Sequence, residues 1–209
     1  TALAYLGYGL KGIVGNIMPH YNNNKKFTYV HIPKCAGNTI KSMLGITGHD
    51  HTGIYNHYND EHFKFAFVRN PWDRFISAYE YFKGGGWKNM NPDEDLDLDY
   101  CNRVNQFSSL KEFAKSLEWI DWLHFKPQFN FITIDNTKDC LDFIGRVENL
   151  DNDLCYVCKQ IGVVYKDLVH INKTKNKNHH YKSYYDDELK EIVGSVYAKD
   201  IEYLKYKFE

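Results

Sequence analysis

Short apolar runs alternate with amphipathic stretches along most of the chain. KFTYVHI at 26–32 predicts a β-strand, and FKFAFVR at 63–69 predicts a second one. The second run is apolar almost without interruption, which suits a strand covered on both faces of its sheet. A stretch with helical spacing follows each run, from about Asn38 to Leu44 and from Asn70 onward.

The helix after the second strand has the clearest start. Asn70 is a suitable N-cap, because its side chain can accept a backbone hydrogen bond, and Pro71 fits the first helical turn. The apolar residues that recur at helical spacing, and should therefore face the core, are Trp72, Phe75, Ile76, Tyr79 and Phe82.

The second half of the chain continues the alternation. SLKE has the form of a capping box between Ser109 and Glu112 and predicts another helix start. FNFITI at 129–134 and LDFIGRV at 141–147 predict two more strands, and a helix is expected from about 151 to 161. The last helix is predicted from one apolar stripe, formed by Leu189, Ile192, Val193, Val196, Tyr197, Ile201 and Leu204.

Strands that alternate with helices, without a repeat or a linker, predict a single α/β domain with a mostly parallel sheet flanked by helices. The 209 residues, 43% of them hydrophobic, suit one domain over 1–209. Its core is expected from about residue 26, after an N-terminal extension at 1–25. Since ligands of such sheets bind at the carboxyl ends of the strands, the residues after the first two strands are the first candidates for a binding site.

Composition removes several classes of partner. The 26 Lys and Arg are balanced by 27 Asp and Glu, so no basic field indicates a nucleic acid partner. No apolar run is long enough to predict a membrane span, and no signal sequence is evident. These patterns favour the cytoplasm. The Golgi lumen or secretory route is the alternative if residues precede Thr1.

Five cysteines are an odd number, which mildly favours a reducing compartment. Cys155 and Cys158 have C-x-x-C spacing, but no second pair completes a zinc site. Both are expected to be buried thiols. The acidic stretch at 91–100 misses the spacing of a calcium loop and is expected to be an exposed loop.

PKCAGNT, at 33–39, is the first stretch with a chemical signature. It joins a predicted strand to a predicted helix, and a helix N-terminus offers unpaired N–H groups to an anion. Gly37 permits close approach, Asn38 and Thr39 add side-chain donors, and Lys34 adds a full charge. This is not a Walker A loop, because the lysine precedes the glycine.

FVRNPWDRFISAY supplies a second candidate anion site. Arg69 ends the second strand, and Ser77 lies about two turns into the following helix, on the polar face that it shares with Asp73. Two anion sites at neighbouring strand ends imply one ligand with phosphates at both ends.

HIPKCAGNTI together with FAFVRNPWDRFISAY resembles the paired signature of sulfotransferases that use 3′-phosphoadenosine 5′-phosphosulfate (PAPS). The resemblance is to the carbohydrate group, similar to sulfotransferase family 2, which includes Golgi glycosaminoglycan enzymes. It continues through HFKPQ, DFIGRVENLDND and the last predicted helix. It implies a core of the P-loop-like sulfotransferase type.

The resemblance also implies roles for individual residues. Lys34 would contact the 5′-phosphosulfate and stabilise the leaving phosphate oxygen, while Arg69 and Ser77 would hold the 3′-phosphate. The backbone that would cradle the 5′ group belongs to Cys35, Ala36, Gly37, Asn38 and Thr39. Family loops often carry hydroxyl residues where this chain has Cys35 and Asn38, so only backbone donation is expected at Cys35.

Sulfuryl transfer needs a base for the acceptor hydroxyl. His51 is the favoured candidate because related enzymes place their base between the two motifs, with His49 next and His57 after it. His124, in HFKPQ, is the other candidate, and otherwise it would position the substrate. No metal is expected, since the transfer needs none.

The resemblance predicts transfer of a sulfuryl group from PAPS to an acceptor hydroxyl, with a saccharide favoured. The rival interpretations are a nucleotide kinase, which lacks its Walker lysine here, and a non-catalytic nucleotide- or glycan-binding module. Trp87, Trp119 and Trp122 are candidates to stack on sugar rings, although the last two equally fit a helix core. Arg146 and Glu148 fit a buried charge pair as well as a ligand contact, and the structural interpretation is favoured. A flap over the cofactor and a solvated loop fit equally well the stretch that contains Lys173, Thr174, Lys175 and Lys177.

Overall fold

A computed structural model describes residues 20–22, 26–47, 61–86, 98–134, 138–166 and 180–209. In these ranges the strands are β1 (His20–Asn22), β2 (Phe27–Val30), β3 (Phe63–Val68), β4 (Thr133–Ile134), β5 (Lys138–Asp139) and β6 (Phe143–Arg146). The α-helices are α1 (Gly37–Leu44), α2 (Pro71–Lys83), α3 (Leu98–Asn105), α4 (Leu110–Lys115), α5 (Phe129–Ile132), α6 (Leu150–Gln160), α7 (Asp187–Val196) and α8 (Ala198–Leu204). Short 3₁₀ turns occupy Ser116–Glu118, Val147–Asn149 and Tyr181–Tyr184.

The main sheet has the order β1–β2–β3–β6. β2, β3 and β6 are parallel, and β1 runs antiparallel to β2 at the edge. Val30 pairs with Ala66, and Val68 pairs with Arg146, so the parallel strands end along one edge of the sheet. This arrangement confirms the predicted α/β fold with a parallel sheet and the three strands that build it.

Both faces of the sheet are buried, because helices pack on each of them. α1 and α6 cover one face, where Phe65 and Phe67 are fully buried. α5 and the end of α8 contribute to a second cluster around Val68 and Ala66. A third, aromatic cluster surrounds α2 and contains all five residues predicted to face the core, Trp72, Phe75, Ile76, Tyr79 and Phe82.

The strand predicted at 129–134 is wrong over most of its length. Phe129–Ile132 form the short helix α5, and the two residues of β4 pair with β5 rather than with the main sheet. The cause lies in α8, where the Asp200 carboxylate accepts the backbone N–H groups of Gln128 and Phe129, both at 2.8 Å. This carboxylate satisfies N–H groups at the start of α5, as an N-cap side chain would do.

Three other predictions are corrected. The last helix is divided at the buried Tyr197, whose hydroxyl donates to the Phe125 carbonyl at 2.8 Å. Ser109 is the N-cap of α4 as predicted, since its hydroxyl accepts from the Glu112 N–H at 3.2 Å, but the Glu112 carboxylate accepts from the Ser108 N–H at 3.0 Å and not from that of Ser109. Cys158 is buried as expected, but Cys155 is exposed. None of the helices in the described ranges is long and apolar enough to cross a membrane.

Candidate active site

The loop between β2 and α1 has an unusual backbone. Lys34 and Ala36 both have positive φ, at 68° and 59°, although neither is glycine. Left-handed residues in a tight loop turn successive N–H groups toward one side, which creates a concave site for an anion. This conformation costs free energy, and loops that keep such strain are commonly functional.

α1 begins where this loop ends, and its N-terminus is open. The N-cap residue is Ala36, which makes no side-chain cap, and the first turn carries no acidic residue. The Ile40 N–H donates to the Ala36 carbonyl at 3.1 Å. The N–H groups of Gly37, Asn38 and Thr39 precede that bond, so a bound anion can accept from them.

Lys34 and His124 meet at one aromatic ring. The Lys34 ammonium lies 3.9 Å from the ring centroid of Tyr81, on α2. The His124 imidazole is stacked on the same ring, with centroids 5.8 Å apart and planes inclined by 14°. The structure therefore brings together two of the three predicted catalytic residues through a tyrosine that the sequence motifs did not indicate.

Cys35 faces inward. Its side chain is fully buried and its Sγ donates to Oε1 of Gln128 at 3.3 Å. Burial raises the pKa of the thiol to about 12, so it is neither a thiolate nor a ligand contact near neutral pH. Only its backbone is available to the loop's ligand.

Arg69 belongs to the second motif and is hydrogen-bonded to Lys34 of the first motif. Its Nε donates to the Asp73 carboxylate at 2.8 Å, and its Nη1 donates to the Lys34 carbonyl at 3.3 Å. Ser77 is half-buried one helical turn beyond Asp73, on the same face of α2. The Arg69 guanidinium therefore contacts the Lys34 loop, and Ser77 lies on the α2 face that carries Asp73.

Hydrogen bonds of the buried residues Gln128 and Arg74 connect the two loops. The Gln128 amide exchanges two 2.8 Å hydrogen bonds with the backbone N–H and carbonyl of Arg69. Arg74, almost fully buried, donates to the carbonyls of Pro33 at 3.0 Å and Lys126 at 2.9 Å. The motifs do not indicate these hydrogen bonds, although Gln128 and Arg74 both lie inside the quoted motifs.

Comparisons with known proteins identify the family of the chain. The model of the Sulfotransferase family matches residues 20–207, which includes both loops and the elements that carry them. The chain belongs to this family. It is also 36% identical to an uncharacterized protein of Archaeoglobus fulgidus over 121 residues, which are 57% of this chain and 84% of the relative. No solved structure gives a significant match to this chain.

A second layer of contacts in this sulfotransferase-family chain involves its last residues. The Glu148 carboxylate accepts from the Asn70 N–H at 2.6 Å and from the Tyr206 hydroxyl at 3.0 Å. Arg146 donates to the Leu204 carbonyl at 2.6 Å. Arg146 and Glu148 thus make structural contacts with other partners, but Glu148 is exposed and no ion pair joins the two residues in the described part of the chain.

Other predicted residues lie elsewhere or cannot be placed. His51, His49, His57, Trp87 and the 173–177 stretch fall outside the described residues. Trp119 is 84% exposed, which excludes a place in the core, whereas Trp122 packs against the aromatic cluster. Within the described ranges no three His, Cys, Asp or Glu residues are grouped as a metal site.

Proposed function

We propose that the chain transfers the sulfuryl group of PAPS to an acceptor hydroxyl, with a saccharide as the favoured acceptor. Membership of the sulfotransferase family supports sulfuryl transfer in general. The observation that supports this donor is the position of Arg69, which precedes α2 and is bonded to the Lys34 carbonyl and to Asp73, on the face of α2 that also carries Ser77. Two cationic side chains and an open helix N-terminus thus lie side by side.

The residues at this edge fit a ligand with two separated phosphates. The loop at 34–39 offers backbone N–H groups, no competing carboxylate in the first turn, and the Lys34 charge. Arg69 uses Nε and Nη1 in the bonds described above, and a guanidinium has about five N–H donors in all. Its other donors, together with the Ser77 hydroxyl, suit a second phosphate.

When bound, PAPS would supply the activated sulfuryl group. Lys34 would neutralise the charge that develops on the leaving phosphate oxygen, and the N–H groups at the start of α1 would hold nonbridging oxygens. The acceptor proton needs a base. His51 stays the first candidate from the sequence, and His124 is supported by its position beside Tyr81 and Lys34.

Calorimetric titration with 3′-phosphoadenosine 5′-phosphate (PAP), AMP and ATP tests the donor. We expect wild-type protein to prefer PAP, and Arg69→Ala to lose that preference, because only PAP carries the 3′-phosphate. Arg103→Ala is the control, since Arg103 is an exposed residue of α3 that pairs with Asp99. Equal affinity for the three nucleotides would exclude the two-phosphate site.

Turnover separates an enzyme from a binding module. Labelled PAPS and a panel of saccharides should give product with wild-type protein. Variants that lack the base, His51→Ala or His124→Ala, should lose turnover and keep their affinity for PAP. A wild-type protein that binds PAP but transfers nothing to any hydroxyl acceptor would instead be a binding module, and preferential binding of ATP with transfer of phosphate would identify a kinase.

A further inference from the structure

Tyr81 is the residue that joins Lys34 to His124, and neither the motifs nor the family match assigns it a role. It lies in α2, one turn after Ser77, and is half-buried. Its ring contacts the Lys34 ammonium at 3.9 Å and the His124 imidazole at 5.8 Å. The attraction between a cation and the face of an aromatic ring is directional, so the ring determines where the ammonium rests.

The ring itself is held by rigid neighbours. Phe82, fully buried, meets Tyr81 edge-on at 5.0 Å and meets His124 edge-on at 5.0 Å. Phe82 also contacts Phe125, one residue after His124 in the chain. Two aromatic rings and an imidazole are therefore packed as one unit against the core.

The other end of Lys34 is also fixed. Its backbone has the left-handed conformation, and its carbonyl accepts the Arg69 guanidinium at 3.3 Å. A lysine side chain that is fixed only at its backbone samples many rotamers, and ordering it for a reaction costs conformational entropy. A contact at the ammonium end removes much of this freedom before any ligand binds.

We propose that Tyr81 is a positioning residue, whose ring sets the place of the Lys34 ammonium and of the His124 imidazole for sulfuryl transfer. This proposal rests on the proposed function. The positioning depends on the ring of Tyr81 and not on its hydroxyl, because the ring makes the contacts with Lys34 and His124. Phenylalanine should therefore replace Tyr81, and leucine should not.

The ring contact can be measured without any cofactor. In protein labelled with ¹³C at lysine Cε, the Lys34 signal, identified by its loss in Lys34→Arg, should be shifted upfield by the ring current of Tyr81. The shift should persist in Tyr81→Phe and vanish in Tyr81→Leu. A Lys34 signal at the ordinary lysine position in wild-type protein would overturn the proposal.

Kinetics test the positioning role. Tyr81→Leu should lower kcat by roughly threefold to thirtyfold, the factor that corresponds to an ordinary cation–π contact, with PAP affinity nearly unchanged. Tyr81→Phe should restore most of kcat. The matched control is Tyr100→Leu, since Tyr100 packs in the same aromatic cluster on Phe82 and Trp122. We expect this control to lower Tm and leave kcat near the wild-type value.

The outcomes distinguish the two proposals. If Tyr81→Leu and Tyr100→Leu lower kcat and Tm equally, Tyr81 is a packing residue and the positioning role is excluded. If wild-type protein neither binds PAP nor transfers a sulfuryl group, the proposed function fails, and the positioning role for that reaction fails with it. The Lys34 signal would still report whether Tyr81 holds the ammonium.

Discussion

The imidazole of His31 lies directly against the backbone of Gly37. A Cβ atom on Gly37 would be 1.7 Å from Nε2 of His31, which is far too close for two non-bonded atoms. His31 has little room to move, because it is buried and stacked on the ring of Tyr29, with centroids 5.7 Å apart. The glycine is therefore required by this contact, independently of any ligand.

Gly37→Ala should lower the free energy of unfolding by about 2–4 kcal/mol, because it overpacks a buried site. It should also weaken PAP binding, since the loop must shift. Urea unfolding of Gly37→Ala, His31→Ala and the double variant forms a thermodynamic cycle. We expect the double variant to be more stable than the sum of the two single losses. Strict additivity would show that the two residues do not interact.

At the residue scale, the motifs indicated Lys34, Arg69 and the 33–39 loop as candidate site residues. They could not indicate why these residues are held in place. Gln128 reaches Arg69 across 59 positions and Cys35 across 93 positions, and no local pattern encodes such contacts. The contacts of Tyr81 could not be predicted either, because an aromatic residue on an amphipathic helix ordinarily indicates core packing.

At the scale of elements, apolar runs predicted the three parallel strands of the main sheet, whose faces are both buried, but not β1, which lies in the expected N-terminal extension. The same criterion failed at 129–134. A short apolar run fits a buried helical turn equally well, and periodicity alone cannot distinguish the two. The decision came from Asp200, 71 residues after Phe129, whose carboxylate favours a helical start at that point.

α4 and α7 are joined by ion pairs that should make stability depend on pH. Lys111 donates to the carboxylates of Asp186 and Glu188, both at 2.7 Å, and these bonds lower both carboxylate pKa values from their usual 3.8 and 4.5. A lowered pKa in the folded state means that the stabilisation is present above the usual pKa values. It is lost as pH falls through the lower, folded-state values.

Lys111→Met should therefore be less stable than wild-type protein at neutral pH, and the difference should shrink below about pH 4. Because the groups are exposed, high salt should also reduce the difference. Urea unfolding at several pH values measures it. Lys159→Met, a change of an exposed lysine on α6, serves as the control. A difference that persists unchanged at acidic pH would indicate that lost packing of the Lys111 stem is responsible.

At the scale of the whole molecule, residues 204–208 return to the edge of the sheet that carries the site. The Lys207 carbonyl accepts from the Asn70 side chain at 2.8 Å, beside Arg69. The ring of Phe208 packs edge-on against Trp72 at 5.5 Å, at the start of α2. With Leu204 bonded to Arg146, this segment contacts the last residue of β6 as well as residues that follow β3.

A chain that ends at residue 203 should lose these contacts together. We expect the free energy of unfolding to fall by about 3–5 kcal/mol and Tm to fall by roughly 10 °C, from lost burial and unpaired polar groups. PAP affinity should fall as well. Phe208→Ala, which keeps the backbone bonds, should show a smaller loss of stability and near-normal affinity. Unchanged Tm and affinity in the truncated chain would contradict this role.

The contact between Asn70 and Lys207 joins residues 137 positions apart, and it has a consequence for synthesis. A ribosome makes the two candidate anion-binding loops early, yet it makes the segment that contacts the second of them after every other described element. While translation proceeds, the start of α2 and the sheet edge expose surfaces that have no partner, which is the condition under which nascent chains aggregate. Completion of the site is therefore a late event in folding, and slow release of residues 204–208 should prolong the need for chaperones.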